Sequence, residues 1–135
     1  MSFIYADSCI LIYLIEGDYS QKRQIKKTFS PLSTAPNKIG FSDLSRLECL
    51  VYPIRHNNNL LRFAYESFFK GKYSRYIQIT PEVFENATQL RARYTIKTPD
   101  ALHLTAAKLG GCDIFLTNDN RLEGIDAGVK IEILD

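Results

Sequence analysis

Short apolar runs alternate with longer amphipathic segments along this chain. Four runs have the length and composition of strands: residues 3–6, 39–42, 114–116 and 129–134. Apolar residues recur at helical spacing in segments between them: residues 9–16, 43–52, 60–69, 99–109 and a segment that begins at Pro81. Strands that alternate with helices favour a parallel sheet between helices. We therefore predict an α/β fold, a three-layer α/β/α sandwich with a central, mostly parallel sheet of four to five strands.

The segment from Thr98 to Asp119 gives the sharpest local predictions. Thr98 has the chemistry of a helix N-cap, and Pro99 suits the first helical position. The helix that follows is apolar on most of its surface, which predicts a buried helix. We expect Asp100 to lie in a cleft. His103, one turn later, is predicted either to touch substrate or an acid in that cleft, or to be a buried, hydrogen-bonded side chain.

Four acidic residues occupy related places in these elements. Asp7 and Asp119 follow the ends of predicted strands, Asp100 lies in a first helical turn, and Glu48 lies within helix 43–52. Ser8 is predicted to cap the helix that follows Asp7. The carboxyl ends of parallel strands and the starts of the next helices meet at one edge of a sheet. The pattern therefore predicts that the four carboxylates converge.

Glu48 is the least ordinary of these acids. It interrupts an apolar stripe formed by Leu44, Leu47 and Val51, which we expect to face the core. A carboxylate there needs a counter-charge, either a basic neighbour such as Arg46 or a bound cation. Asp7 and Asp100 have simpler alternatives, because acids commonly cap or support helix starts.

A shared cation would explain why the four acids gather. Two carboxylates about 4 Å apart repel by about 4 kcal/mol at an effective dielectric constant near 20. Oxygen ligands without a thiolate or histidine cluster favour Mg²⁺ or Mn²⁺ over zinc. A Mg²⁺ site of this kind can activate water against a phosphate ester.

Composition limits the class of protein. With 135 residues, the chain is predicted to form a single domain over residues 1–135, and its net charge of +2 is too small to indicate nucleic-acid binding by itself. Its three cysteines have no disulfide or zinc spacing, which favours free thiols. No secretory signal and no membrane span is apparent, so we expect a cytoplasmic protein.

Four short motifs together resemble the PIN-domain ribonucleases, and among them most closely the VapC-type toxins of toxin–antitoxin pairs. In chain order they are YADSCILIY from Tyr5, LSRLEC from Leu44, TPDALHL from Thr98 and LTND from Leu116. Each motif is short and weak alone. Their order, the chain length and the alternation of strands and helices make the combination specific, and it spans nearly the whole chain.

The resemblance implies a function and a set of residues. It implies a PIN-like fold whose metal-binding and catalytic carboxylates are Asp7, Glu48, Asp100 and Asp119, holding one or two Mg²⁺ or Mn²⁺ ions. It implies endonucleolytic cleavage of RNA such as tRNA or ribosomal RNA, a cognate antitoxin protein and a homodimer. Three polar residues match positions that support such a site: Ser8, Thr117 and Asn118.

Substrate contacts are predicted from sequence proximity to the acids. The candidates are Arg46, Lys97, His103 and Arg121. Among other enzymes, a haloacid-dehalogenase-like phosphatase is disfavoured because Cys9 occupies the place of its second aspartate. A phospho-receiver domain is disfavoured because Asp7 has no acidic neighbour. The remaining alternative is a non-catalytic PIN-like module that binds RNA or protein.

Overall fold

The structure, a computed structural model, describes residues 2–29 and 38–134. The stretch of residues 30–37, which its two prolines predict to be a loop, lies outside this range. The described residues form five β-strands, six α-helices and one 3₁₀ turn, in the order β1 Phe3–Ala6, α1 Ser8–Glu16, α2 Tyr19–Phe29, β2 Lys38–Phe41, α3 Asp43–Arg55, α4 Asn59–Phe69, β3 Ser74–Tyr76, α5 Pro81–Arg93, α6 Thr98–Leu109, β4 Ile114–Thr117, the 3₁₀ turn Asn120–Leu122 and β5 Lys130–Ile133. Across both ranges, every helix is too short or too polar to cross a membrane.

All five strands run parallel, in the spatial order β3-β2-β1-β4-β5. The first strand of the chain is therefore central, and its register sets Tyr5 beside Gly40 on one side and Phe115 on the other. This confirms the predicted α/β sandwich and extends "mostly parallel" to fully parallel. A parallel sheet collects the carboxyl ends of its strands at one edge, where Asp7 follows β1 and Asn118 follows β4.

Two hydrophobic cores cover the two faces of the sheet. Because side chains alternate along a strand, Ile4 and Ala6 face one core and Tyr5 faces the other. Helices α1 to α4 supply buried residues to the first core. Helices α5 and α6 supply them to the second, where residues 101–107 of α6 are all buried. The expectation of a buried α6 is confirmed.

Both predicted helix caps near the acids were wrong by one residue. The N-cap of α1 is Asp7, whose Oδ1 accepts a hydrogen bond from the Ser8 amide at 2.8 Å. The N-cap of α6 is Lys97, which has no capping side chain, and the Thr98 hydroxyl instead accepts a bond from Arg91. The first correction matters because it frees the Ser8 hydroxyl for another partner.

Helix α3 differs most from its prediction. It continues through Pro53 to Arg55, although residue 52 was the predicted end. Its buried face is Ser45, Cys49, Leu50 and Pro53, whereas Leu47 is 60% exposed and Val51 40% exposed. Leu47 and Val51 of the stripe expected to face the core therefore lie on the surface, whereas Leu44 packs against the second core.

Hydrogen bonds of two serines at the start of α3 explain why the helix is oriented in this way. The Ser42 hydroxyl accepts a bond from the Ser45 amide, and the Ser45 hydroxyl accepts one from the Ser42 amide at 3.0 Å, which makes a capping box. Both hydroxyls also contact the buried Tyr5 hydroxyl, at 2.9 Å and 3.3 Å. These contacts turn the serine face of α3 inward and rotate Leu47 and Val51 outward.

Candidate active site

Asp7 is held at the carboxyl edge of the sheet by the two strands beside it. Its amide donates to the Leu116 carbonyl at 2.9 Å, which continues the β1–β4 pairing. Its Oδ1 caps α1, and its Oδ2 accepts a bond from the Thr117 hydroxyl at 2.7 Å. Asp7 is also buried. Both oxygens therefore have protein donors, and the carboxylate has a fixed orientation.

Glu48 reaches the same place from α3. Its Oε1 accepts one bond from the Ser8 hydroxyl at 2.7 Å and another from His103 Nε2 at 2.5 Å. Burial works against its ionisation, but the bonds from His103 and Ser8 outweigh it and lower the pKa of Glu48. Ser8 thus joins two acids, since its amide bonds to Asp7 and its hydroxyl to Glu48.

Asp100 lies in the first turn of α6 and is partly buried. Its carboxylate accepts no hydrogen bond from residues 2–29 or 38–134. Desolvation by burial raises its pKa, and the nearby negative charges of Asp7 and Asp119 raise it further. This repulsion means that the three aspartates share one small region and that the protein leaves part of their charge uncompensated.

Asp119 completes the group from the end of β4. Its amide donates to the Thr117 hydroxyl at 3.1 Å, so that one hydroxyl connects Asp119 with Asp7. The Arg121 guanidinium binds both oxygens of Asp119, through Nε at 3.0 Å and Nη2 at 2.7 Å. These bonds lower the pKa of Asp119. Shared hydrogen-bond partners therefore connect Asp7 with Glu48 and with Asp119, and Asp100 interacts electrostatically with Asp7 and Asp119. The four acids come from four separate elements.

The family comparison agrees with this arrangement. The family model described as PIN domain matches residues 4–128, which is most of the chain and includes all four acids. The chain belongs to the PIN-domain family. The resemblance drawn from the four motifs is thereby confirmed at the level of the family.

Several solved structures have a fold similar to that of this PIN domain. VapBC2 from Rickettsia felis bound to a promoter DNA fragment has a TM-score of 0.76 at 16% identity, over 98% of this chain and 99% of that one. A toxin–antitoxin complex from Klebsiella pneumoniae has a TM-score of 0.73 at 21% identity, over 100% and 98%. VapC20 from Mycobacterium tuberculosis, described as a sarcin–ricin loop cleaving toxin, has a TM-score of 0.65 at 16% identity, over 83% and 86%. The search of curated proteins found no match.

The supporting residues of this PIN domain lie between the acids or beside them. Ser8 and Thr117 each bond to two site residues, as described above. Asn118 donates from Nδ2 to the Tyr13 hydroxyl at 2.8 Å, which ties the loop after β4 to α1. Asn118 therefore stabilises the loop that holds Asp119 and makes no bond to an acid among the described residues.

The four predicted substrate contacts have different positions. Lys97 and Arg121 line a cavity of about 310 Å³ together with Asp100. His103 is 1% exposed and bonds to Glu48, so it is a buried partner of an acid. Arg46 lies away from the group: its guanidinium pairs with Glu66 at 2.7 Å and lies over the Phe69 ring. The structure thus brings Lys97 and Arg121 to the acids, and leaves Arg46 on another surface.

Three residues of the site were not identified from the sequence: Tyr5, Ser42 and Ser45. Tyr5 lies in an apolar strand, where its aromatic ring suits the core and its hydroxyl gives no separate signal. The serine pair has the spacing of a capping box, but only the fold shows that both hydroxyls meet Tyr5. A buried tyrosine hydroxyl needs a hydrogen-bonding partner, and this requirement was the signal from which a buried polar contact of Tyr5 could have been predicted.

The donor chemistry of the site fits a hard divalent cation. Over the described parts of the chain, no three His, Cys, Asp or Glu side chains stand grouped as a ready-made metal site. The arrangement explains this, since Arg121 takes both oxygens of Asp119 and His103 takes one of Glu48. Yet the converging acids offer oxygen donors, and Asp100 lacks any hydrogen-bonding partner from residues 2–29 or 38–134. A cation would supply the missing positive charge.

Proposed function

We propose that this PIN domain is a Mg²⁺- or Mn²⁺-dependent endoribonuclease that hydrolyses RNA phosphodiester bonds, and that it is the toxin of a type II toxin–antitoxin system. One observation supports the proposal: shared hydrogen-bond partners and charge interactions connect four carboxylates from distant segments near the carboxyl edge of the sheet, and Asp100 among them has no counter-charge bonded to it. Such a group costs stability unless a cation or a cationic partner joins it.

The residues of the site would have different roles in such a reaction. Asp7, Glu48, Asp100 and Asp119 would hold the ion, which supplies Lewis-acid activation of water and of the phosphate when bound. Ser8 and Thr117 keep Asp7 in one orientation. Lys97 and Arg121 line the adjacent cavity and would bind phosphates of the RNA chain. The exposed Arg121 side chain can leave Asp119 when a substrate phosphate offers a better partner.

The solved neighbours support the toxin assignment and suggest its partner. VapBC2 and the Klebsiella pneumoniae structure are complexes of a toxin with its antitoxin, and VapC20 is described as cleaving the sarcin–ricin loop. We infer a cognate antitoxin protein for this chain, and structured RNA, such as ribosomal RNA or tRNA, as its substrate. We propose that this protein encounters both the antitoxin and the RNA in the cytoplasm.

A homodimer through α3 is part of the proposal. The exposed face of α3 holds Leu47, Val51 and Ile54, with Asp43 at its start and Arg55 at its end. If two copies of α3 pack antiparallel, Asp43 of each copy meets Arg55 of the other around an apolar centre. A two-fold interface requires this self-complementarity.

The decisive experiment measures RNA cleavage with purified protein. Wild type is incubated with ribosomal RNA and tRNA in Mg²⁺, in Mn²⁺ and in EDTA, beside Asp7→Asn and Asp100→Asn. We expect cleavage only with the divalent ions and a loss of about 100-fold or more in each variant. Asp126→Asn is the matched control, because Asp126 is exposed and its side chain bonds to no other described residue.

One observation favours a second candidate, a non-catalytic module that binds RNA or protein. Arg121 already neutralises Asp119, as a domain without a metal ion would require. Under this alternative, RNA binds with the same affinity in EDTA and in Mn²⁺, and no cleavage product forms on either RNA. That result would exclude the nuclease.

A further inference from the structure

A line of buried polar side chains runs from the second hydrophobic core to Glu48. The Ser42 hydroxyl lies 2.9 Å from the Tyr5 hydroxyl, which lies 2.7 Å from His103 Nδ1. His103 Nε2 lies 2.5 Å from Glu48 Oε1. Tyr5, Ser42 and Ser45 are completely buried, and His103 is 1% exposed. This line reaches one acid of the site from inside the protein, on the side that solvent does not reach.

The chemistry of His103 and Glu48 determines which of them donates in the hydrogen bond between His103 Nε2 and Glu48 Oε1. The carboxylate of Glu48 accepts a hydrogen bond from the Ser8 hydroxyl at 2.7 Å, and an ionised carboxylate can only accept hydrogen bonds. His103 Nε2 must therefore be the donor. The other ring nitrogen meets the Tyr5 hydroxyl, and a hydroxyl can act as donor or acceptor as that nitrogen requires. Both ring nitrogens of His103 thus have hydrogen-bonding partners, and these fix the orientation of the ring.

The bonds to Glu48 are unequally divided between its oxygens. Oε1 accepts from both Ser8 and His103, whereas Oε2 has no donor among residues 2–29 and 38–134. Two donors on one oxygen fix the end of a side chain that would otherwise sample many rotamers. A fixed carboxylate binds a cation with less loss of conformational entropy than a mobile one. Oε2 remains the open acceptor.

We propose that His103, held in turn by Tyr5, is a positioning residue that fixes the Glu48 carboxylate for binding a divalent cation. The cation-binding consequence rests on the proposed function, whereas the fixing of Glu48 can be tested without it. Residues that orient metal-binding carboxylates through hydrogen bonds contribute about 10–100-fold in metal affinity. A histidine that only fills the core would contribute nothing to this affinity.

Two substitutions at His103 separate positioning from packing. The amide nitrogen of glutamine can replace Nε2 as the donor to Glu48, and leucine fills a similar volume without a donor. We expect His103→Leu to weaken Mn²⁺ binding by about 10–100-fold in calorimetric titration, and His103→Gln to recover most of the loss. Tyr5→Phe removes the hydroxyl that supports the His103 ring and also contacts Ser42 and Ser45, and it leaves the donor to Glu48 in place, so it should give a smaller loss of Mn²⁺ affinity.

Matched controls lie outside the line. His56→Leu changes the exposed histidine that caps the end of α3, and Tyr65→Phe removes a buried tyrosine hydroxyl that bonds to Glu16 in the other core. Neither control should change Mn²⁺ affinity. In RNA cleavage, saturating Mn²⁺ should restore the rate of His103→Leu towards wild type, which loss of folded protein would not permit.

Crystal structures of the metal-free variants make the test independent of activity. The Glu48 carboxylate should leave Ser8 or occupy several rotamers in His103→Leu, and should keep its place in His103→Gln. Unchanged Mn²⁺ affinity in a folded His103→Leu, or an unmoved Glu48 carboxylate in its crystal structure, would overturn the proposal. If His103→Leu does not fold, the same two measurements on Tyr5→Phe decide.

The two proposals can fail separately. If wild type binds Mn²⁺ and leaves all RNA intact, the nuclease fails and the affinity series still decides the positioning role. If wild type binds no Mn²⁺, the nuclease and the cation-binding role both fail, and the crystal structures decide whether His103 fixes Glu48.

Discussion

At the scale of single residues, hydroxyl groups organise the acids. The Thr117 hydroxyl donates to Asp7 and accepts from the Asp119 amide, and it is completely buried. Ser8 connects two acids in a different way, because its amide donates to Asp7 and its hydroxyl donates to Glu48. A hydroxyl can donate once and still accept, so the Thr117 side chain bonds to the Asp7 carboxylate and to the Asp119 backbone amide at the same time.

Thr117→Val tests this role because valine has nearly the same shape and no hydroxyl. We expect the free energy of unfolding to fall by about 1–3 kcal/mol, since Asp7 Oδ2 loses its donor in a buried place. Urea denaturation of the metal-free protein measures it. Thr88→Val is the control: Thr88 is exposed on α5 and bonds only to the Phe84 carbonyl, so its loss should stay within about 0.5 kcal/mol. Equal losses in the two variants would contradict the role of Thr117.

Asp100 makes stability depend on pH in a defined direction. Its pKa is raised in the folded protein by burial and then by Asp7 and Asp119, so the folded state holds its proton more tightly than the unfolded state. The destabilisation is absent below the unfolded pKa, about 3.9. It grows as pH rises and is complete above the raised folded pKa.

Asp100→Asn removes that titration. We therefore expect the metal-free variant to have a higher melting temperature than wild type at pH 7 and to lose this advantage as the pH falls towards 4. Adding Mn²⁺ at about 100 times its Kd should stabilise wild type by about 2.7 kcal/mol and the variant by less. Calorimetric scans over pH 4–8 measure both effects. A lower melting temperature for the variant at pH 7 would refute this account of Asp100.

At the scale of elements, α3 has two faces with separate tasks. Its inner face carries Ser45 and the buried Cys49 and Leu50, and its side carries Glu48 to the acids. Its outer face is apolar and meets solvent at Leu47, Val51 and Ile54. Contiguous exposed apolar patches of this kind are often interaction sites, which is why the proposed dimer is placed here.

The proposed dimer predicts a charge-swap result on α3. Asp43→Arg should shift the protein from dimer to monomer by placing like charges together, and the double variant Asp43→Arg with Arg55→Asp should restore the dimer. Light scattering during size-exclusion chromatography measures the mass. Phe84→Lys on α5, also exposed, is the control and should leave the mass unchanged. A double variant that stays monomeric would exclude this antiparallel pairing.

The sequence predicts elements better than it predicts which side of an element is buried. The stripe of Leu44, Leu47 and Val51 has the right spacing for a core face, yet Leu47 and Val51 are exposed because the serines of α3 bond to Tyr5. Hydrophobic periodicity counts apolar residues and ignores such buried hydroxyl contacts. The same limit hid Tyr5, whose ring predicts a core position but whose hydroxyl determines the packing of α3.

At the scale of the whole molecule, the fold and the position of Asp7 and Asp119 at one edge of the sheet were predictable for one reason. Strands alternate with helices, so the sheet is parallel, and a parallel sheet brings Asp7 and Asp119 to one edge. The charge pairing within the site was not predictable. Arg121 follows Asp119 closely in sequence, but only the 3₁₀ turn at Asn120–Leu122 folds its guanidinium back onto that carboxylate.

The central position of β1 also bears on the protein's synthesis. Asp7 and its hydrogen-bond donor Thr117 are 110 residues apart, because β1 pairs with β4 as well as with β2. During translation, β1 is synthesised well before β4 and cannot complete its pairing until β4 has been made. A nascent chain that still lacks β4 therefore cannot bring its acids together. A ribonuclease assembled in this order would be harmless to the ribosome during most of its own translation.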